Sequence, residues 1–346
     1  MKTVSQSYID AAISEIEMAA SQGGRVEVPT IFFGGGTPSL LPAKDLERII
    51  GAIKNNFDLS DSPEITIEVN PDSVSQEFLD SMRAAGATRI SMGMQSAVPH
   101  VLAALDRTHT PENVERAVSM VRYAGFDHCS VDLIYGVPGE SMEDWKNSVT
   151  SALALEIDHL SAYALIVESG TRLAQRVKSG ELLIPPDDET AEKYLYVDQA
   201  CEAAGMSWYE ISNWAKTGAE CRHNIAYWNG SQWWGVGPGA HSFVGQKRWW
   251  NVKHPAKYQN LISARESVID GSEHLSEQNR EDEYLMLTIR MRQGIPLDRL
   301  SDSQQMTAEK FCDSEHLDQS AWRAGRVLLT RSGRLIADRI VREMLV

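Results

Sequence analysis

The sequence lacks a long apolar run, and it lacks an excess of positive charge. No segment approaches the roughly 18 consecutive apolar residues of a membrane-spanning helix, and the N-terminus, which opens Met1-Lys2-Thr3, has no apolar signal-peptide core. Lys and Arg number 33 against 48 Asp and Glu, which gives a net charge of −15. Because nucleic-acid binding depends on basic charge, we expect a cytoplasmic, globular protein that does not bind nucleic acid.

Cysteine is scarce and scattered. The chain has 4 cysteines. No two of them have the CxxC spacing of a local zinc site, and their scattered positions do not suggest a disulfide framework. Free cysteine is usually buried, so we expect reduced, buried thiols at Cys129, Cys201 and Cys312. Cys221 lies in a motif considered below.

The first two thirds of the chain alternates short β-branched or aromatic runs with longer segments of helical period. The runs predict strands at 30–33, 64–69, 88–92, 129–134, 160–165 and 206–211, and the segments between them predict helices at 43–57, 76–85, 111–124, 142–155 and 188–204. Ser75 and Thr110 precede two of these helices as caps, and Gly86 follows one of them. This alternation predicts parallel strands covered by helices, in either a barrel or an open sheet.

Two regions depart from the alternation. Residues 8–20 have apolar side chains at helical spacing but no strand before them, so the first β/α unit looks half missing. After residue 212 the chain becomes rich in Trp, Gly and His. The last part predicts a helix at 283–292, polar helical turns, a short strand at 326–329, a turn at 331–334 and a final helix to about residue 345. We therefore predict three units, 1–212, 213–268 and 269–346, the last resembling a winged helix with a structural or docking role.

Glycines and polar residues follow the predicted strands. Gly34-Gly35-Gly36-Thr37-Pro38 ends the first strand, and Glu68, Gln95, Asp132 and Ala164 lie near the ends of four others. Each residue also has a structural interpretation: Glu68 could pair with Arg89, Gln95 could satisfy loop backbone and Asp132 could cap a turn. Because parallel α/β sheets place ligands at the carboxyl ends of their strands, we favour one small polar ligand shared by these positions.

Five segments, in this order and spacing, resemble the HemN/HemW-like branch of the radical S-adenosylmethionine (SAM) family. They are FGGGTPSLL at 33–41, IEVNP at 67–71, MGMQS at 92–96, VDLIYGVP at 131–138 and HLSAYALIVESGT at 159–171. The resemblance implies an incomplete (β/α) barrel of radical SAM type that lacks its first strand, followed by the helical module. It implies that SAM contacts the residues matching the family's positions, which are Gly35, Gly36, Thr37, Glu68, Gln95, Arg107, Asp132 and Ala164.

A second motif, HNIAYW at 223–228, is followed by GVGPGAHS at 235–242. An HNxxYW element is more typical of the haem-chaperone members of the branch than of its coproporphyrinogen oxidases. Imidazole and thiolate are both haem-iron ligands, so His223 is a candidate ligand and Cys221 a weaker one, with the nearby tryptophans lining a porphyrin face. The structural interpretation is that His223 and His241 form hydrogen bonds in a Trp-rich core.

The family holds a [4Fe–4S] cluster through a CxxxCxxC loop after its first strand, and this chain has no such motif. The missing loop and the helix without a preceding strand indicate the same loss. Either the native protein begins upstream of Met1, which we favour because the SAM positions persist, or the gene is shortened and the sheet has an unpaired edge. The cluster is expected only in the longer form.

The resemblance implies a haem chaperone that binds haem, SAM and, at full length, the cluster. The chaperone would pass haem to an acceptor protein, and membrane-associated proteins are among the candidate acceptors. Two alternatives stay open: an oxygen-independent coproporphyrinogen III oxidase, which the HNxxYW element disfavours, and a cluster-free haem-binding module. The sequence identifies neither the acceptor nor the oligomeric state.

Overall fold

A computed structural model describes residues 6–24 and 26–345. Its main element is a curled, half-barrel sheet of 7 strands in the order β1-β2-β3-β4-β5-β7-β6. The strands are β1 Glu27–Phe33, β2 Asp58–Val69, β3 Arg89–Gln95, β4 His128–Tyr135, β5 His159–Ala164, β6 Ser207–Glu210 and β7 Asn213–Ala215. Strands β1 to β5 are parallel neighbours, and β7 is antiparallel to both β5 and β6. This confirms the α/β half-barrel that the resemblance implied.

Helices connect and flank the strands of this sheet. They are α1 Gln6–Gly23, α2 Ala43–Asn56, α3 Gln76–Ala85, α4 Pro99–Ala104, α5 Pro111–Tyr123, α6 Met142–Leu153, α7 Arg172–Lys178 and α8 Asp187–Ala203. The cap prediction is confirmed at Ser75, whose Oγ accepts a hydrogen bond from Phe78 N, and at Gly86, whose φ is 104°. Alternate residues of β2, Ile65, Ile67 and Val69, join the core under the helices. The residues between them therefore face the concave side.

Strand β7 was not predicted, and it extends the sheet beyond residue 212. It is only three residues long, too short to show a period, and its place between β5 and β6 depends on tertiary pairing. The predicted strand at 206–211 is confirmed as β6, but β6 is at the edge of the sheet rather than next to β5. The limits of the three predicted units otherwise stay a prediction.

The Trp-rich segment forms a second, smaller sheet. Helix α9 Arg222–Trp228 comes first, and strands β8 His241–Val244, β9 Lys247–Asn251 and β10 Ile269–His274 form an antiparallel sheet with α10 Pro255–Ser263 inserted. Glu15 of α1 joins this sheet to the barrel. Its buried carboxylate accepts hydrogen bonds from Tyr258 Oη at 2.5 Å, Asn251 Nδ2 at 2.7 Å and Gly237 N at 2.8 Å.

The C-terminal module is helical with one two-stranded pair. It contains α11 Glu277–Thr288, β11 Ile295–Pro296, α12 Asp302–Asp313, α13 Gln319–Arg323, β12 Arg326–Val327, α14 Arg331–Leu335 and α15 Ala337–Met344, and β11 pairs with β12. The turn predicted at 331–334 is wrong, because Thr330 Oγ1 accepts from Gly333 N and begins a helix there. Helix α11 also starts six residues before the predicted position at residue 283, at a capping box formed by Ser276 and Asn279.

A buried carboxylate holds this module against the barrel. Asp198 of α8 accepts bidentate hydrogen bonds from Arg334 of α14, both at 2.7 Å, and a further one from Trp214 Nε1 at 2.8 Å. Arg331 also contacts this carboxylate. Trp214 therefore belongs to this contact and to β7 rather than to a porphyrin surface. Among the described helices, none is both long and apolar enough to span a bilayer.

Candidate functional site

The concave face of the half-barrel is lined by polar side chains. Glu64, Thr66 and Glu68 alternate along β2 with the core residues of that strand, so all three face inward. Neighbouring strands place Asp132 of β4 and Arg89 of β3 on the same side. Thr66 Oγ1 is buried and has no hydrogen-bond partner among the described residues. Because buried polar groups are normally paired, an unpaired hydroxyl here indicates room for a polar ligand.

The glycine turn after β1 lies beside Glu68. Gly35 N donates a hydrogen bond to Glu68 Oε2 at 3.2 Å, and Gly35 has a φ of 104°, a conformation that favours glycine. A Cβ atom at Gly35 or Gly36 would meet nothing within 4 Å, so this backbone faces open space. Thr37 precedes a short 3₁₀ helix, Pro38–Leu40. The turn therefore presents bare backbone groups next to a carboxylate.

Glu68 and Asp132 are two carboxyls with perturbed pKa values. Burial, with a smaller contribution from the Asp132 charge, raises the pKa of Glu68 to about 7. Burial also raises the pKa of Asp132, against hydrogen bonds from Ser161 and Ser91, and the Ser91 Oγ to Asp132 Oδ2 distance is 3.2 Å. Two carboxyls that resist full ionisation favour a ligand that offers hydroxyl or cationic groups.

The structural alternative for Glu68 is wrong, because Arg89 pairs with Glu64. Arg89 Nη2 lies 3.3 Å from Glu64 Oε2, and both side chains are buried. Arg89 is opposite Thr66 in the strand register. Its guanidinium extends back along β2 to Glu64, away from Glu68, and Glu68 stays at the mouth of the half-barrel with Gly35.

The other predicted SAM residues lie around the same mouth. Gln95 ends β3 with a φ of 62°, and its amide folds back over Gly93, where a Cβ atom would be 2.3 Å from Gln95 Nε2. Strained backbone of this kind is concentrated at functional sites. Arg107, in the loop after α4, and Ala164, at the end of β5, are both exposed. Their contact with SAM stays a prediction.

His223, on α9, packs against the concave side of β1. Its ring stacks on Phe32 with a centroid distance of 5.0 Å, and Nδ1 lies 2.9 Å from Thr30 Oγ1. Nε2 lies 3.2 Å from the hydroxyl of Tyr227, one turn further along α9. Burial lowers the pKa of His223, which favours the neutral imidazole that binds iron. Thr30 and Phe32 lie only a few residues before the glycine turn, so the candidate haem ligand and the candidate SAM site are neighbours.

A buried ion pair that was not identified from the sequence holds the start of α9. Glu64 accepts hydrogen bonds from Arg222 N at 3.1 Å and His223 N at 2.9 Å. Arg89 Nη2 donates to Ala219 O at 2.9 Å and to Glu220 O at 3.3 Å. A carboxylate at a helix N-terminus is favourable. All four contacts are to main-chain atoms of residues 219–223, so the side chains of this segment do not indicate them in the sequence.

The thiols do not form a metal site. All four cysteines are free and buried, as predicted for three of them. Burial and the nearby Glu64 raise the pKa of Cys221 to about 12, which argues against a thiolate ligand to haem iron. Within 6–24 and 26–345, no three His, Cys, Asp or Glu residues are grouped to hold a metal ion.

His241 lies apart from His223. It is exposed on β8, where its ring stacks on Trp250 at a centroid distance of 5.9 Å. Around His223, the tryptophan in ring contact is Trp233, whose ring meets that of Tyr227 at 4.9 Å. Trp233 therefore lies next to Tyr227, whose ring contacts the candidate haem ligand.

The perturbed Glu68 gives a testable pH dependence. A carboxyl whose pKa rises on folding stabilises the protein below its ordinary pKa of about 4.5, and this contribution is lost as pH rises through about 7. The melting temperature of the wild type relative to Glu68→Gln should therefore fall between about pH 5 and pH 7. Thermal melts across this range measure it, with the exposed Glu77→Gln as control. A constant difference would contradict the shift.

Comparisons with known proteins agree with these features. The Radical SAM superfamily matches residues 7–152. The chain is 46% identical over 338 residues to the heme chaperone HemW of Mycobacterium tuberculosis, covering 98% of this chain and 86% of that protein. It is 31% identical over 344 residues to the heme chaperone HemW of Bacillus subtilis, covering 96% and 89%.

Among solved structures, the chain is similar to coproporphyrinogen III oxidase, HemN, from Escherichia coli, with a TM-score of 0.83 and 20% identity. The match covers 99% of this chain and 84% of that one. At this identity the likeness shows a shared fold. The family itself follows from the near full-length identity to the HemW relatives: the chain belongs to the HemW family of radical SAM proteins.

Proposed function

We propose that this protein is a haem chaperone, which binds haem through His223 and passes it to an acceptor protein, including a membrane-associated one. The observation that carries the proposal is the placement of His223. Its imidazole is fixed on the concave face by Thr30 and Phe32, and its Nε2 edge faces the partly exposed Tyr227. The near full-length identity to proteins named heme chaperone HemW supports it.

SAM is the proposed second ligand. The open backbone at Gly35 and Gly36 and the unpaired Thr66 hydroxyl leave room for it. Gly35, Gly36 and Thr37 would hold its amino-acid end, Arg107 its carboxylate, and Glu68 and Asp132 its ribose hydroxyls. Gln95 and Ala164 would complete the mouth. SAM supplies an adenosyl group activated by a sulfonium centre, and these residues bind and orient it.

The [4Fe–4S] cluster that the family implies does not fit the described residues. The four cysteines are separate and buried, and the chain contains no CxxxCxxC segment. No step of the proposed function passes through a cluster, and its presence in a longer form of the protein stays a prediction.

The test is haem titration of two histidine variants. His223→Ala should weaken haem binding by about 10–100-fold and change the Soret spectrum, because even the outer-shell partners of metal ligands contribute that much. His241→Ala is the matched control, since it removes an exposed histidine of the same Trp-rich segment, and it should leave affinity and spectrum unchanged.

Equal binding by the wild type and His223→Ala would contradict the proposed ligand. Anaerobic turnover of coproporphyrinogen in the presence of SAM would instead favour an oxidase. Haem that binds without transfer to any acceptor would favour a haem-binding module.

A further inference from the structure

The HNxxYW spacing places two functional groups in contact. His223 and Tyr227 are four residues apart, so both lie on one face of α9. Their rings meet edge to face at an interplanar angle of 87° with centroids 5.0 Å apart, and the hydroxyl of Tyr227 lies 3.2 Å from His223 Nε2. The tyrosine therefore interacts with the histidine through its hydroxyl as well as its ring.

Both ring nitrogens of His223 have protein partners. Nδ1 faces Thr30 Oγ1 on β1, and Phe32 of the same strand stacks on the imidazole ring of His223. An iron atom cannot approach from that side without separating α9 from the sheet. Nε2 is at the opposite edge of the ring, where its partner Tyr227 is 41% exposed. Nε2 is thus the nitrogen that iron can reach, and the Tyr227 hydroxyl lies within hydrogen-bond distance of it.

We propose that the Tyr227 hydroxyl is an exchangeable latch on His223, which haem iron displaces on binding and which returns to Nε2 on release. This inference rests on the proposed function. Iron needs the Nε2 lone pair, so binding selects the tautomer with the proton on Nδ1, where Thr30 Oγ1 accepts it. The hydrogen bond from Tyr227 to Nε2 breaks, the iron–nitrogen bond forms, and the phenol keeps its proton.

The latch suits a protein that must give its ligand away. A hydroxyl held close to the coordinating nitrogen competes with iron for that nitrogen. It also forms a hydrogen bond to Nε2 when haem leaves. The competing hydrogen bond joins two neutral groups. The net free energy of such a bond corresponds to about a fivefold change in an equilibrium constant. The latch therefore weakens haem binding moderately and leaves the ligand itself intact.

The experiment compares four proteins: wild type, Tyr227→Phe, His223→Ala and the double variant. Phenylalanine keeps the ring that packs against His223 and Trp233 and removes only the hydroxyl. Tyr227→Phe should bind ferric haem about fivefold more tightly than the wild type and release it more slowly to excess apomyoglobin. In the His223→Ala background, the same change should give no gain.

A second readout uses the haem-free protein. The ¹⁵N resonance of His223 Nε2 should shift in Tyr227→Phe, while that of Nδ1 should stay near its wild-type position because Thr30 is unchanged. Thermal melts verify that the variants are folded.

Three results would overturn the latch, and they are distinguishable. If His223→Ala weakens binding but Tyr227→Phe does not tighten it, the latch alone is wrong. If Tyr227→Phe weakens binding and changes the Soret spectrum, the phenolate is itself a ligand. If His223→Ala changes neither affinity nor spectrum, the latch and the proposed haem ligand are both wrong.

Discussion

Arg89→Met should lower the free energy of unfolding by about 3–5 kcal/mol, because it leaves Glu64 buried without its cationic partner. Arg89 and Glu64 have side chains that are 1% and 5% exposed, so water cannot replace the lost interaction. The variant also removes the donors to Ala219 O and Glu220 O. Urea denaturation followed by circular dichroism measures the effect.

Two controls separate the buried pair from a general effect of arginine. Arg83→Met removes an arginine of similar size whose ion pair with Asp127 is solvent-exposed, and it should cost at most about 1 kcal/mol. The double variant Arg89→Met/Glu64→Leu should recover part of the loss, because no buried charge is left unpaired. The recovery is incomplete, since α9 loses its carboxylate cap. Equal costs for Arg83→Met and Arg89→Met would contradict this account.

Asp198→Ala should destabilise the protein by a similar amount, about 3–5 kcal/mol, by leaving a guanidinium buried without a counter-charge. Arg334 is 5% exposed and donates two hydrogen bonds to Asp198. Since Asp198 belongs to the barrel and Arg334 to the C-terminal module, we also expect the urea transition to broaden or to separate into two steps. Intrinsic tryptophan fluorescence is a suitable probe because Trp214 contacts Asp198.

Glu202→Ala is the matched control for this second variant. Glu202 lies one helical turn from Asp198 and pairs with Arg331, but its side chain is 74% exposed. Its removal should change the free energy of unfolding by at most about 1 kcal/mol. A cost for Asp198→Ala no greater than that of Glu202→Ala would mean that the buried carboxylate does not hold the module in place.

The parallel part of the fold was predictable because its signals are local. Strands β2 to β5 each contain a run of residues buried at least at alternate positions, and Gly86 ends α3 in a left-handed conformation that favours glycine. Strand β7 carried no such signal, because it exists through pairing with β5 and β6 rather than through its own composition. The helix at Arg331 was missed because residues 331–334 were interpreted as a turn and the cap at Thr330 was not identified.

The candidate site divides in the same way. Gly35 follows β1, Glu68 lies near the end of β2 and His223 belongs to a motif, so the sequence identified them. Thr30 is 193 residues away from His223, and nothing in either segment indicates that they meet. The pairing of Arg89 with Glu64 rather than Glu68 depends on strand register, which a single sequence does not specify.

The position of Thr30 on β1 restricts which insertions and deletions the protein can accept. Thr30 contacts the imidazole of His223, and the glycine turn begins at Gly34, immediately after the same strand. Because side chains alternate between the two faces of a strand, inserting one residue between Phe32 and Gly34 would turn Thr30 and Phe32 outward into the helical layer while the turn stayed in place. Only insertions or deletions of an even number of residues therefore keep Thr30 and Phe32 on the face where they contact His223 while the SAM turn stays in place.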